Sequence, residues 1–110
     1  MQANKYQEWT LSTAIYPDAG KGTLAALTYC CLGLVGEAGE VADKAKKLLR
    51  DGDTADRRAA VLQELSDVCW YIARVADELG MDLEELMDYN KQKLESRKER
   101  GVLGGSGDNR

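Results

Sequence analysis

From Thr23 to Asp51 the chain runs without proline, with apolar side chains recurring at three- and four-residue spacing. A stretch of that length and period reads as one long helix. Its stripe is Leu24, Leu27, Cys31, Leu34, Ala38, Val41, Ala42, Ala45, Leu48 and Leu49, with Thr23 as N-cap and Asp51-Gly52-Asp53 as the stop. A second stripe, Leu62, Leu65, Val68, Cys69, Ile72, Val75, Ala76 and Leu79, predicts another helix closed by Gly80. Before them, Tyr6, Trp9, Thr10 and Thr13 predict a short helix over residues 4–14, broken by Pro17, Gly20 and Gly22. After them, Asp82 and Glu85 form a capping-box-like start to a fourth helix that ends at Gly101. No alternation long enough for a sheet interrupts this pattern. The expected fold is all-α: about four helices in one domain over residues 1–100, then a Gly-rich tail over 101–110.

A chain of 110 residues is short for a stable bundle, and a second subunit is a common remedy. Trp70 lies about 160° around the third helix from its main stripe, so that helix is apolar on two sides. Homo-oligomerisation is therefore expected to complete the bundle.

Within these helices the acids are paired. Glu37 and Glu40 stand at i, i+3 beside the apolar stripe of the long helix, and Glu64 and Asp67 repeat that spacing on the next. Antiparallel packing would bring the four carboxylates to one rim, where they repel unless cations neutralise them. An oxygen-only ligand set favours hard ions, Mg²⁺ or Mn²⁺, which recruit phosphates and water. The plainer alternative is a solvated face, with Glu40 paired to Lys44. Gly33, Gly36 and Gly39 inside the same helix each cost about 1 kcal/mol relative to alanine. Close approach of a backbone or a ligand would account for them.

The absence of histidine removes His-based zinc sites, Ser-His-Asp and Cys-His nucleophile systems, and the Glu-x-x-His motif of di-iron bundles. A net charge of −4 argues against nucleic-acid polymers and anionic membranes as partners. No run of 18 apolar residues suggests a membrane span. Three cysteines cannot form a fully paired disulfide framework, so reduced thiols and a cytoplasmic setting are expected. Lys91, Lys93, Arg97, Lys98 and Arg100 gather near the end of the fourth helix, where cations favour the helix dipole or could meet phosphates.

The segments LGLVGEAGEVADKAKK (32–47) and QELSDVCWYIA (63–73) resemble the MazG-like nucleoside triphosphate pyrophosphohydrolases. The signature of that family is Glu-Glu-x-x-Glu, a spacer, then Glu-x-x-Asp. Glu37 and Glu40 match its second and third glutamates, and Glu64 and Asp67 its closing pair; Gly36 replaces the first glutamate. The resemblance implies a Mg²⁺-dependent enzyme, with Mn²⁺ as a substitute, that cleaves a nucleoside triphosphate to the monophosphate and pyrophosphate. It also implies that the four acids hold metal and that Glu37 or Glu40 assists the attacking water. Lys44, Tyr71, Asn90, Lys93 and Arg97 are then substrate contacts, with Trp9 a candidate base-stacking residue or else a core or interface tryptophan. A homodimer or dimer of dimers is implied as well. Phosphoribosyl-ATP pyrophosphohydrolase, a dUTPase- or dCTPase-like enzyme, and a non-catalytic nucleotide-binding oligomer stay open as alternatives.

Overall fold

A computed structural model describes residues 1–110. Four helices, α1 (Ala3–Leu11), α2 (Leu24–Asp51), α3 (Ala55–Glu78) and α4 (Leu83–Glu99), account for the regular structure, and there is no strand. The helix ends follow local chemistry. Thr23 Oγ1 accepts the Ala26 N–H at 3.2 Å, and Asp82 Oδ1 accepts the Glu85 N–H at 2.8 Å. Gly80, at φ +77°, closes α3 with Gly80 N–H bonded to Asp77 O and Met81 N–H to Ala76 O.

The first helix is shorter than its spacing predicts. After Leu11 the N–H groups of Ser12, Thr13 and Ala14 turn back to the carbonyls three residues earlier, and Ser12 and Thr13 hydroxyls bond to Trp9 O and Thr10 O. Such side-chain bonds compete with helix continuation. The face α1 buries is Gln7 and Thr10, whereas Trp9 is exposed and stacks on Tyr6.

Helices α2 and α3 form an antiparallel hairpin. Helix α1 lies across α3 and is fastened at the α3–α4 junction by Gln7. That amide donates to Ala73 O at 3.2 Å and Met81 O at 3.1 Å, and accepts from Leu83 N–H at 2.9 Å. The buried apolar residues are few, Tyr16, Ala26, Cys30, Ala73, Ala76 and Leu83; the first three form one cluster, with Trp70, Tyr71 and Val75 packed against it. Trp70 thus meets residues of its own chain, Tyr16 and Tyr71 by ring edge and Thr13 by a hydrogen bond. On that side α3 is met by the segment between α1 and α2.

The opposite sides are open. Leu24 is 80% exposed, Leu49 91%, Leu62 64% and Leu65 49%. Much of the expected apolar stripe on α2 and α3 therefore has no neighbour in the chain. Helix α2 is also long and apolar enough to cross a membrane, by length and composition alone.

Beneath the 12–23 segment lies a buried polar network. Glu78, with a fully buried side chain, accepts from Tyr16 OH at 2.7 Å, Gly20 N–H at 2.8 Å and Gly22 N–H at 2.9 Å. Arg74, equally buried, donates to Tyr16 OH, Thr10 Oγ1 and Asp77. Burial alone would raise the Glu78 carboxyl. The Gly22 N–H, the Tyr16 hydroxyl, the Gly20 N–H and Arg74 outweigh it and hold the group below its ordinary 4.5. An acid depressed in the folded state stabilises fully above its unfolded value and loses that contribution as pH falls through the folded one. The urea midpoint is accordingly expected to decline below about pH 4.5, and Glu78→Gln to flatten that decline. An unchanged profile in the variant would show that Glu78 is not the group responsible.

Candidate metal centre

Glu37 on α2 faces Glu64 and Asp67 on α3. The i, i+3 spacing sets the two α3 acids on one face, and the antiparallel register brings that face to Glu37. One carboxylate oxygen from each lies within 4.8 Å of the others. Partial burial and the neighbouring Asp67 and Glu64 charges push the Glu37 carboxyl above the ordinary glutamate value. Three acids this close repel, and their oxygen-only donor set suits a hard divalent cation.

Of the four paired acids expected to converge, three do. Glu40 is exposed, one turn further along α2, outside the cluster. The i, i+3 step carries it about 60° around the axis and about 4.5 Å along it; on α3 the same step keeps both acids at the seam, whereas on α2 it leads to solvent.

Beside the acids is a cavity of about 300 Å³ lined by Thr13, Glu37, Asp67, Trp70 and Tyr71. Tyr71 sits where the sequence places it, half-buried at this site. Thr13 and Trp70 were not among the expected site residues. The one signal for Trp70 is its position off the main stripe of α3. Thr13 follows from the early end of α1, because its hydroxyl accepts the Trp70 indole N–H at 2.8 Å.

The remaining expected contacts do not line this cavity. Lys44 is half-buried further along α2 and Trp9 lies on α1. Asn90 is exposed on α4, and Lys93 sits 6.0 Å over the Tyr89 ring. Arg97 is buried, with its guanidinium donating to Asp108 O at 2.8 Å. The Gly-rich tail explains that contact: it curls around Arg110, which donates to the carbonyls of Leu103, Gly104 and Gly107. Arg97 and Arg100, which donates to Arg110 O at 2.8 Å, are thus engaged with the tail.

Gly33 has a clear cause. A Cβ there would overlap the Tyr71 ring, so its absence lets the tyrosine lie against the α2 backbone one turn before Glu37. Nothing lies within 4 Å of a Cβ built at Gly36 or Gly39, so close packing inside the chain does not explain those two. Substitution should therefore differ in sign. Gly33→Ala is expected to lose about 1–3 kcal/mol through overpacking, and Gly36→Ala to gain up to about 1 kcal/mol from helix propensity. Urea unfolding of both variants checks this, and equal effects would contradict it.

The model of the MazG nucleotide pyrophosphohydrolase domain matches residues 27–102, and the chain belongs to that family. The match runs through α2, α3 and α4 and contains all four paired acids. The chain is also similar to the Gene 37 protein of Mycobacterium phage L5, 48% identical over 114 residues that cover the whole of both proteins. No solved structure matches it.

Proposed function

We propose that the protein is a Mg²⁺-dependent nucleoside triphosphate pyrophosphohydrolase that converts a (d)NTP and water to the (d)NMP and pyrophosphate. Its role would be housecleaning or regulation of nucleotide pools. The observation that carries this reading is the Glu37–Glu64–Asp67 cluster beside a cavity in a chain of this family. These three acids would hold the ion, with Glu40 joining them if its side chain swings in. When bound, Mg²⁺ supplies charge neutralisation and polarisation of phosphoryl oxygens. Glu37 or Glu40 takes the proton of the attacking water as the α–β anhydride bond breaks. Tyr71 and Trp70 offer flat apolar surface to the nucleoside.

The working unit is a homodimer or a dimer of dimers. The Cα radius of gyration is 16.5 Å, where a compact domain of this length has about 13 Å. The chain exposes 7651 Å², against about 6,000 Å² for a monomer of its mass. Leu24, Val35, Leu49 and Leu62 stand open on α2 and α3, a fitting bed for a second copy. Lipid is a poor occupant, since Glu37 and Glu40 project from α2 and charges in a bilayer are costly. Three free cysteines fit a cytoplasmic setting.

The test is hydrolysis of a panel of nucleoside triphosphates by the full chain in Mg²⁺, with sedimentation equilibrium on the same sample. Turnover abolished by chelator, from a species at least twice the 12.1 kDa chain mass, is expected. A folded protein that binds nucleotide without turnover would favour the non-catalytic reading.

A further inference from the structure

The cavity beside the acids has two unlike ends. Glu37 and Asp67 form one, and Thr13, Trp70 and Tyr71 form the other. The second end depends on a segment with little regular structure of its own, residues 12–23. Thr13 Oγ1 accepts the Trp70 indole N–H at 2.8 Å and donates to Thr10 O at 3.0 Å, so its one proton is committed. Three residues on, the Tyr16 ring meets Trp70 edge to face at 6.3 Å.

One side chain, Glu78, gathers three groups of this segment, while the Tyr16 ring also stacks on Tyr29 at 5.2 Å. Both oxygens of Glu78 are engaged: Oε2 accepts from Tyr16 OH and Gly20 N–H, and Oε1 accepts from Gly22 N–H. Gly20 and Gly22 stand at φ +81° and +68°, a left-handed backbone that turns both amides onto the carboxylate. Arg74 fixes the other side of Tyr16 OH at 3.0 Å. The chain of contacts runs from Glu78 through Tyr16 to Trp70, and from Trp70 to the cavity.

We propose that Glu78, which does not line the cavity, is a positioning residue for its nucleoside end, acting through the 12–23 segment to set Thr13 and Trp70. The proposal rests on the nucleotide reading for the identity of the ligand. It separates two functions of one site: cation binding depends on the acids alone, and nucleoside binding depends also on Glu78.

Glu78→Gln is the direct probe. It keeps the size of the side chain but turns an NH₂ toward a donor, so one side of the clamp must open. In a Trp9→Phe background Trp70 is the sole tryptophan. Glu78→Gln is expected to make its fluorescence more quenchable by acrylamide and to raise KM for deoxynucleoside triphosphates about five- to tenfold, with kcat within about twofold. Mg²⁺ affinity by calorimetry should not move. Gly20→Ala strains the same clamp from the segment side and leaves the Arg74–Glu78 pair intact, so it serves if Glu78→Gln does not fold, with the same directions expected. Leu83→Ala, a buried change at the start of α4, should lower stability without moving Trp70 quenching or KM.

Unchanged quenching and KM in the folded variants would overturn the proposal, as would a loss of Mg²⁺ affinity equal to the loss of nucleotide affinity. If the wild type bound nucleotides but turned over none, the enzymatic reading would fail. Calorimetric nucleotide affinity of wild type and variant would then decide the role of Glu78. Absence of any nucleotide binding by the wild type would overturn both.

Discussion

Glu64→Gln is expected to lower kcat about a hundred- to a thousandfold, the loss that follows when several kcal/mol of electrostatic stabilisation are removed. The substitution keeps the shape of the side chain and one acceptor oxygen but removes a charge from a group of three acids within 4.8 Å of one another. Two readouts separate this from a packing effect. Metal-free Glu64→Gln should be at least as stable as the wild type, because three crowded carboxylates become two. It should also lose the rise in Tm with Mg²⁺, which mass action sets at about 2.7 kcal/mol when the ion is at a hundred times its Kd. A variant that kept both full turnover and the Mg²⁺ shift would remove Glu64 from the metal centre.

The second large effect concerns stability. Arg74→Ala is expected to cost about 3–5 kcal/mol, as breaking a buried ion pair does when one charge is left behind. Arg74 and Glu78 side chains are both 0% exposed, so the Glu78 carboxylate would lose its buried counter-charge. Tyr16 OH and Thr10 Oγ1 would each lose a donor as well. For a domain of this size the loss corresponds to a fall in Tm of about 12 °C or more. The exposed pair Arg58–Asp53 gives the contrast: its contact is shorter, at 2.6 Å, but both side chains lie in solvent. Arg58→Ala should cost no more than about 1 kcal/mol. Thermal or urea unfolding measures both, and equal losses would contradict the assignment of burial as the deciding factor.

These two predictions differ in how far the sequence reveals their basis. The Glu64 cluster was legible because i, i+3 spacing is local and antiparallel pairing of two long stripes is the natural way to bury them. The caps at Thr23 and Asp82 and the stop at Gly80 were legible for the same reason: each involves residues a few positions apart. Arg74 and Glu78 were not. Opposite charges at i, i+4 on a helix look the same whether water or a folded segment covers them. Here the cover is residues 12–23, whose path depends on two left-handed glycines and the early end of α1 at Leu11. The position of Trp70 off the main stripe is plain in the sequence, but its neighbours Thr13 and Tyr16 are not, because the covering segment has no period to read. Glu40 lies outside the cluster although its i, i+3 spacing matches that of Glu64 and Asp67, because spacing within α2 does not encode how α3 is set against it. Asn90, Lys93 and Arg97 share a face, but the direction in which α4 leaves α3 depends on the Gln7 and Leu83 contacts. No spacing within α4 encodes those.

The central claim is the reaction itself, and product identity tests it most directly. Full-length protein would be incubated with canonical and damaged (d)NTPs in Mg²⁺, and the phosphorus-containing products separated. The expected result is nucleoside monophosphate and pyrophosphate in equal amounts, with no orthophosphate. Nucleoside diphosphate with orthophosphate would contradict the claim, because it would place the broken bond at the other anhydride.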